Sequence, residues 1–107
     1  MEAFGRHGDV VIYRLDGLAP EFGERIEPDK GKLVLAYGEA TGHSHSLPEG
    51  IGELYKAPNM DGMYLNVTKE GAQLGHEEHK SIAMPVGLYY VGIKRQHSPN
   101  GWDPVRD

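Results

Sequence analysis

The chain holds six histidines in 107 residues. Four of them fall into two close pairs, Gly42-His43-Ser44-His45 and His76-Glu77-Glu78-His79. Neutral imidazole is a strong ligand for divalent zinc, copper, nickel and iron. On an extended chain, side chains two apart point the same way, so His43 and His45 can offer two rings to one ion from a strand. His76 and His79 are three apart and meet on a helical turn or across a tight loop. Brought together by the fold, the pairs supply three or four nitrogens. The expected ligands are therefore His43, His45, His76 and His79, and the expected cofactor is one divalent transition metal, with zinc, iron, nickel and manganese all open. His7 and His97 stand alone and fall outside that set.

Two uses of such an ion follow. Three protein ligands leave an open coordination position where the ion can activate water or dioxygen. The chain would then act on a small-molecule substrate, with Glu49, Glu77 and Glu78 as candidate acids or bases. Four ligands close the shell, and the metal becomes a staple for a core that is small for its loop content. The chain would then be a non-enzymatic module that binds a partner protein or a second copy of itself.

Other chemistries are excluded by what is missing. A zinc metallopeptidase helix carries its histidines at i and i+4 with a glutamate directly after the first; here the spacing is i, i+3, between Gly75 and Pro85. Ser44 and Ser46 lie beside histidines, but no Gly-x-Ser-x-Gly elbow exists for a serine hydrolase. No phosphate-cradling glycine loop follows a strand. Cysteine is absent, which removes disulfides, thiolate nucleophiles and cysteine-ligated metal sites. With 11 Lys+Arg against 16 Asp+Glu the formal charge is −5, a poor partner for phosphate backbones, so no nucleic acid is expected. Lys94-Arg95 with His97 reads as a solvated strand end. No apolar run approaches the ~20 residues of a membrane helix, and Met1 to Val10 carries charges and glycines where a signal peptide needs an apolar stretch. The expectation is a cytoplasmic protein with no membrane contact.

The elements that must position these residues are short. Fifteen glycines and seven prolines are spread along the whole chain, and the apolar residues come in bursts bounded by turn residues, the pattern of many short strands. Val10 to Leu15 reads as the first strand. Asp16 to Gly31 reads as a long irregular connection with room for one helical turn around Pro20-Glu21-Phe22. Lys32 to Gly38 alternates, with Leu33, Leu35 and Tyr37 on one face and Val34 and Ala36 on the other, and reads as a central strand. Ile51 to Lys56, Met63 to Thr68, Ala72 to Gly75, Ser81 to Met84 and Leu88 to Arg95 complete the set, with Asn59-Met60-Asp61-Gly62 as a hairpin turn. Met60, Met63 and Met84 read as core filling, and the six tyrosines as strand packing. From His97 the chain reads as a loop-like tail, 97–107. The sum is all-β: one small domain over 1–107, a barrel or sandwich of about seven short strands.

The stretch Gly38-Glu39-Ala40-Thr41-Gly42-His43-Ser44-His45-Ser46-Leu47-Pro48-Glu49 resembles the first motif of the cupins, small metal-binding β-barrels of jelly-roll type. The resemblance implies His43, His45 and Glu49 as ligands, with His76 or His79 in place of the histidine of the second cupin motif. The spacer from Gly38 to His43 has four residues where five is usual, and Pro85-Val86-Gly87 follows His79 where a Pro-x-Gly turn would precede the histidine. The chain also resembles a set of short bacterial and phage-type proteins that open with Gly-Asp-Val, here Gly8-Asp9-Val10. They carry Thr-Gly-His-x-His, here Thr41 to His45, and then a histidine block before Pro-x-Gly-x-Tyr, here Pro85 to Tyr89. That similarity implies that both histidine pairs belong to one design, and attaches no activity to it.

Overall fold

Alternating inward and outward side chains along short strands build two antiparallel sheets and a separate hairpin in the computed structural model. The structure describes residues 2–15, 20–37, 44–58, 60–76, 79–93, 95–98 and 101–104, of which 76, 79, 95–98 and 101–104 by backbone alone. In chain order the strands are β1 (Glu2–His7), β2 (Val10–Arg14), β3 (Arg25–Ile26), β4 (Lys32–Tyr37), β5 (Ser44–Pro48), β6 (Gly52–Lys56), β7 (Met63–Val67), β8 (Gln73–His76), β9 (His79–Ala83), β10 (Gly87–Ile93), β11 (Arg95–Ser98) and β12 (Gly101–Pro104). One sheet runs β1-β2-β10-β7-β6-β3 and the other β4-β5-β8-β9. A 3-10 turn, Glu49–Ile51, joins β5 to β6. No helix among the described residues is long and apolar enough to cross a membrane.

The two sheets share one core. Val10 and Ile12 of β2, Leu54 of β6, Leu65 and Val67 of β7, and Tyr89 and Val91 of β10 meet Leu33 and Leu35 of β4, Leu47 of β5 and Leu74 of β8 in one buried cluster, closed by Ala72 and Met84. Each such leucine or valine gains roughly 1.5–3 kcal/mol by leaving water, and that burial holds the sheets face to face. The outer face of the larger sheet has its own order. Tyr13 pairs with Tyr90, Tyr90 with Tyr64, and Tyr64 with Tyr55. Four tyrosines thus form one row across β2, β10, β7 and β6, and the Phe22 ring stacks on Tyr55 at 4.4 Å. Cross-strand aromatic neighbours stabilise a sheet beyond their area alone. Five of the six tyrosines are strand packing, as the sequence implied; Tyr37 is exposed.

Several boundaries depart from the sequence reading. The first strand is Glu2–His7, ahead of the expected Val10 to Leu15; Gly5 and the charges of Glu2 and Arg6 hide it, and pairing with β2 through the Gly8-Asp9 turn forms it. The described part of the long connection, from Pro20, has no helical turn and ends in β3. β4 is an edge strand rather than a central one. A register shift between Val34 and Ala36 breaks its alternation, which leaves Tyr37 68 % exposed while Leu33 and Leu35 are buried. Met60 is exposed rather than core. The expected loop-like tail contains β11 and β12, paired His97 to Trp102; the Asn-Gly dipeptide at 100–101 that suggested a loop is equally a hairpin signal.

Candidate functional site

β5 presents its side chains to two different environments. Its alternation turns His45 and Leu47 into the core and sets Ser44 and Ser46 on the other face, where the Ser44 hydroxyl donates to Ser46 Oγ at 3.2 Å. The His45 ring has no exposure at all. It meets the turn between β1 and β2, where Gly8 adopts φ of 64° and places His7 and Asp9 on either side of the histidine. Both are buried. His7, left outside the candidate ligands by the sequence reading, is therefore a direct partner of His45.

The three side chains and one carbonyl form a line. His7 Nε2 donates to the Lys80 carbonyl of β9 at 2.8 Å. His7 Nδ1 and His45 Nδ1 face each other at 2.8 Å, with the rings edge to face. On its far side, His45 Nε2 faces Asp9 Oδ1 at 3.4 Å. Proton counting then constrains the chemistry. The Lys80 carbonyl requires a hydrogen on His7 Nε2, and the Asp9 carboxylate favours one on His45 Nε2. Two neutral imidazoles carry two protons in all: with a hydrogen on His45 Nε2 the two Nδ1 lone pairs meet head-on, and with it on His45 Nδ1 that atom donates to His7 Nδ1. In the first arrangement a cation between the two Nδ1 atoms would complete the line and balance the Asp9 carboxylate.

The arrangement has the features of oriented metal ligands. A ligating histidine commonly donates its other ring nitrogen to a backbone carbonyl or a carboxylate, which fixes the tautomer and ring direction. His7 does so with Lys80, and His45 stands so toward Asp9. As the structure stands, the three residues lie in series rather than around one point, and no group of three His, Cys, Asp or Glu among the described residues is gathered to hold an ion.

The other sequence candidates divide. His43, Glu77 and Glu78 lie outside the described residues. His76 and His79 are register partners at the end of the β8–β9 hairpin, so strands rather than a helical turn bring them together. Ser46 pairs with Gly75, which places positions 45 and 76 next to that pair on neighbouring strands. The backbone thus sets positions 45, 76 and 79 side by side on β5, β8 and β9. Glu49 is exposed on the 3-10 turn beyond β5. Four residues of nearly extended chain, about 13 Å by strand rise, separate it from His45, so the fold does not bring it to the buried histidines. Asp9 escaped the reading of site residues, although the Gly8-Asp9 turn signal was present.

A family model for a domain of unknown function (DUF8820) matches residues 6–94. That span runs from the end of β1 to just past β10 and includes His7, Asp9, His45 and both positions of the second pair. Comparison with curated proteins and with solved structures finds no match.

Proposed function

This chain belongs to the DUF8820 family, and from its own residues we propose that it is a metal-binding β protein in which one divalent transition metal bridges His7 and His45. The observation that carries the reading is the pair of buried Nδ1 atoms at 2.8 Å, each on a ring whose opposite nitrogen faces a hydrogen-bond acceptor. Tetrahedral coordination at about 2.0–2.1 Å needs the two nitrogens about 3.3 Å apart. An opening of about half an ångström between the β1–β2 turn and β5 therefore converts a shared-proton site into a metal site.

His76 and His79, whose backbone positions adjoin position 45, and His43, two residues from His45 in sequence, are the candidates for the remaining ligands. The resemblance to the first cupin motif supports the same use of His43 and His45, while the exposure of Glu49 takes that residue out of the ligand set. Because His45 is wholly excluded from solvent, the ion serves first as a staple between β1, β5 and the β8–β9 hairpin.

Thermal unfolding with and without chelator tests the proposal. A metal that binds only the folded chain adds about 4 kcal/mol when free metal exceeds Kd a thousandfold. Chelator should lower the melting temperature of the wild type. His7→Gln and His45→Gln should melt low already and respond little, whereas His97→Ala should keep the full response. A wild type indifferent to chelator, or a full response in both His7→Gln and His45→Gln, overturns the bridge.

A further inference from the structure

The opposite face of the same strand carries a second feature. Ser44 and Ser46 open onto a cavity of about 520 Å³ on the outer side of the β4-β5-β8-β9 sheet. Lys30, Lys32, Gln73 and Ser81 are the other polar residues of its lining. No acidic side chain is among the described lining residues, although the chain as a whole carries a formal charge of −5. The Glu49 carboxylate stands at its rim, beside Gly31.

Gly75 also lines the cavity. It lies inside β8 and pairs with Ser46. A glycine there weakens a strand, and it is commonly retained where a ligand or another backbone approaches closely. The pairing of β8 with β9 shifts register between Leu74 and His76, so Gly75 stands at an irregularity of the strand; its φ lies outside the left-handed range and a Cβ would make only an ordinary 3.6 Å contact with Ser81 Oγ. What the missing side chain does is keep the floor of the cavity clear.

We propose that this groove binds a small anionic molecule, its phosphate or carboxylate head held by Lys30 and Lys32 and its body by Ser46, Gln73 and Ser81. Paired ammonium groups suit an oxyanion, and hydroxyl and amide side chains can donate to or accept from a polar body. The groove and the histidine line occupy opposite faces of β5, so the two sites stand or fall separately.

The test uses the full chain, isotope-labelled and passed over a chelating resin so that no metal contributes. Inorganic phosphate and citrate are titrated in separate arms at constant ionic strength while amide resonances are followed. Saturable shifts should centre on Gly31, Ser46 and Gly75. Saturation by phosphate alone assigns a phosphoryl head, and by citrate alone a carboxylate head; saturation by both assigns the shared oxyanion chemistry. Lys30→Gln with Lys32→Gln should weaken the response at least tenfold, and Gly75→Leu should abolish it with the remaining spectrum intact. Glu49→Gln should tighten it, because the Glu49 carboxylate stands 3.8 Å from where a Cβ of Gly31 would lie, at the rim. Should Gly75→Leu fail to fold, the exposed lysine pair decides. Shifts that sodium chloride reproduces, no saturable shift with either anion, or unchanged binding in the lysine double variant overturns the proposal.

Discussion

Replacing His45 by alanine in the metal-free chain measures what the buried line of polar groups contributes by itself. The substitution removes the partner of His7 Nδ1 at 2.8 Å and the group that faces Asp9 Oδ1 at 3.4 Å. With the extra proton of the proposed shared-proton state on the line, deleting His45 leaves the Asp9 carboxylate without the charge that faces it, a loss of roughly 3–5 kcal/mol. The length of the contact and the 11 % exposure of the Asp9 side chain put this pair at the low end, about 3 kcal/mol. The lost hydrogen bond to His7 adds about 1 kcal/mol. The sum of about 4 kcal/mol is a large share of the roughly 5–15 kcal/mol that holds a typical domain folded. Urea unfolding followed by circular dichroism should show a midpoint lower by about 2 M, for an m-value of about 2 kcal/mol/M. Ser46→Ala, one residue away on the opposite face, should cost less than about 1 kcal/mol. A double-mutant cycle of His45→Ala with Asp9→Asn should return a coupling of about 1–3 kcal/mol. A loss below about 1 kcal/mol for His45→Ala, or additive effects in the cycle, would refute the charge-balanced line.

Further outcomes follow from other parts of the molecule. Gly62 has φ of 115° and a Cβ there would stand 2.4 Å from the Val91 carbonyl oxygen, so Gly62→Ala should destabilise by about 3 kcal/mol. Gly71 has φ of 86° in open space, so Gly71→Ala should cost about 1 kcal/mol; the ranking of their thermal midpoints checks the close approach. Burial first, and the Asp61 charge second, push the Tyr90 phenol above its ordinary value. A raised folded-state value favours the neutral phenol, so this contribution is complete below the ordinary tyrosine range and is lost as pH rises through the folded-state range. Ultraviolet titration should find one phenol fewer ionising late in Tyr90→Phe than in the wild type. Protons compete with metal for imidazole nitrogen, so bound metal should fall on acidification; occupancy unchanged at pH 4 would make carboxylates the principal ligands.

Much of the fold is legible because its strands follow side-chain alternation. Met63 to Val67 sends Leu65 and Val67 inward and Tyr64 to the outer face, as period two requires. The all-β class follows from the density of breakers between such runs. β1 is not legible, because Glu2, Ala3 and Gly5 have low strand propensity and its order comes from pairing with β2. The position of Tyr37 depends on a register shift in β4, which alternation cannot register. For the candidate site, His45 was found by its spacing from His43, and the second pair by its own spacing. His7 was not, because 38 residues separate it from His45 and only the packing of the β1–β2 turn on β5 joins them. Glu49 misleads for the opposite reason: close in sequence, it is carried away by an extended strand.

Elemental analysis of the purified chain after mild dialysis, run side by side with His7→Gln, tests the metal bridge most directly. Two oriented imidazoles facing one point predict close to one equivalent of a transition metal per wild-type chain. The variant lacks one of the two nitrogens and should retain under about a tenth of that, since removing a support of a metal site typically costs 10–100-fold in affinity and removing a ligand costs more. A metal-free wild type that takes up nothing on titration with zinc, nickel, manganese and iron would contradict the account and leave a proton as the cation between His7 and His45.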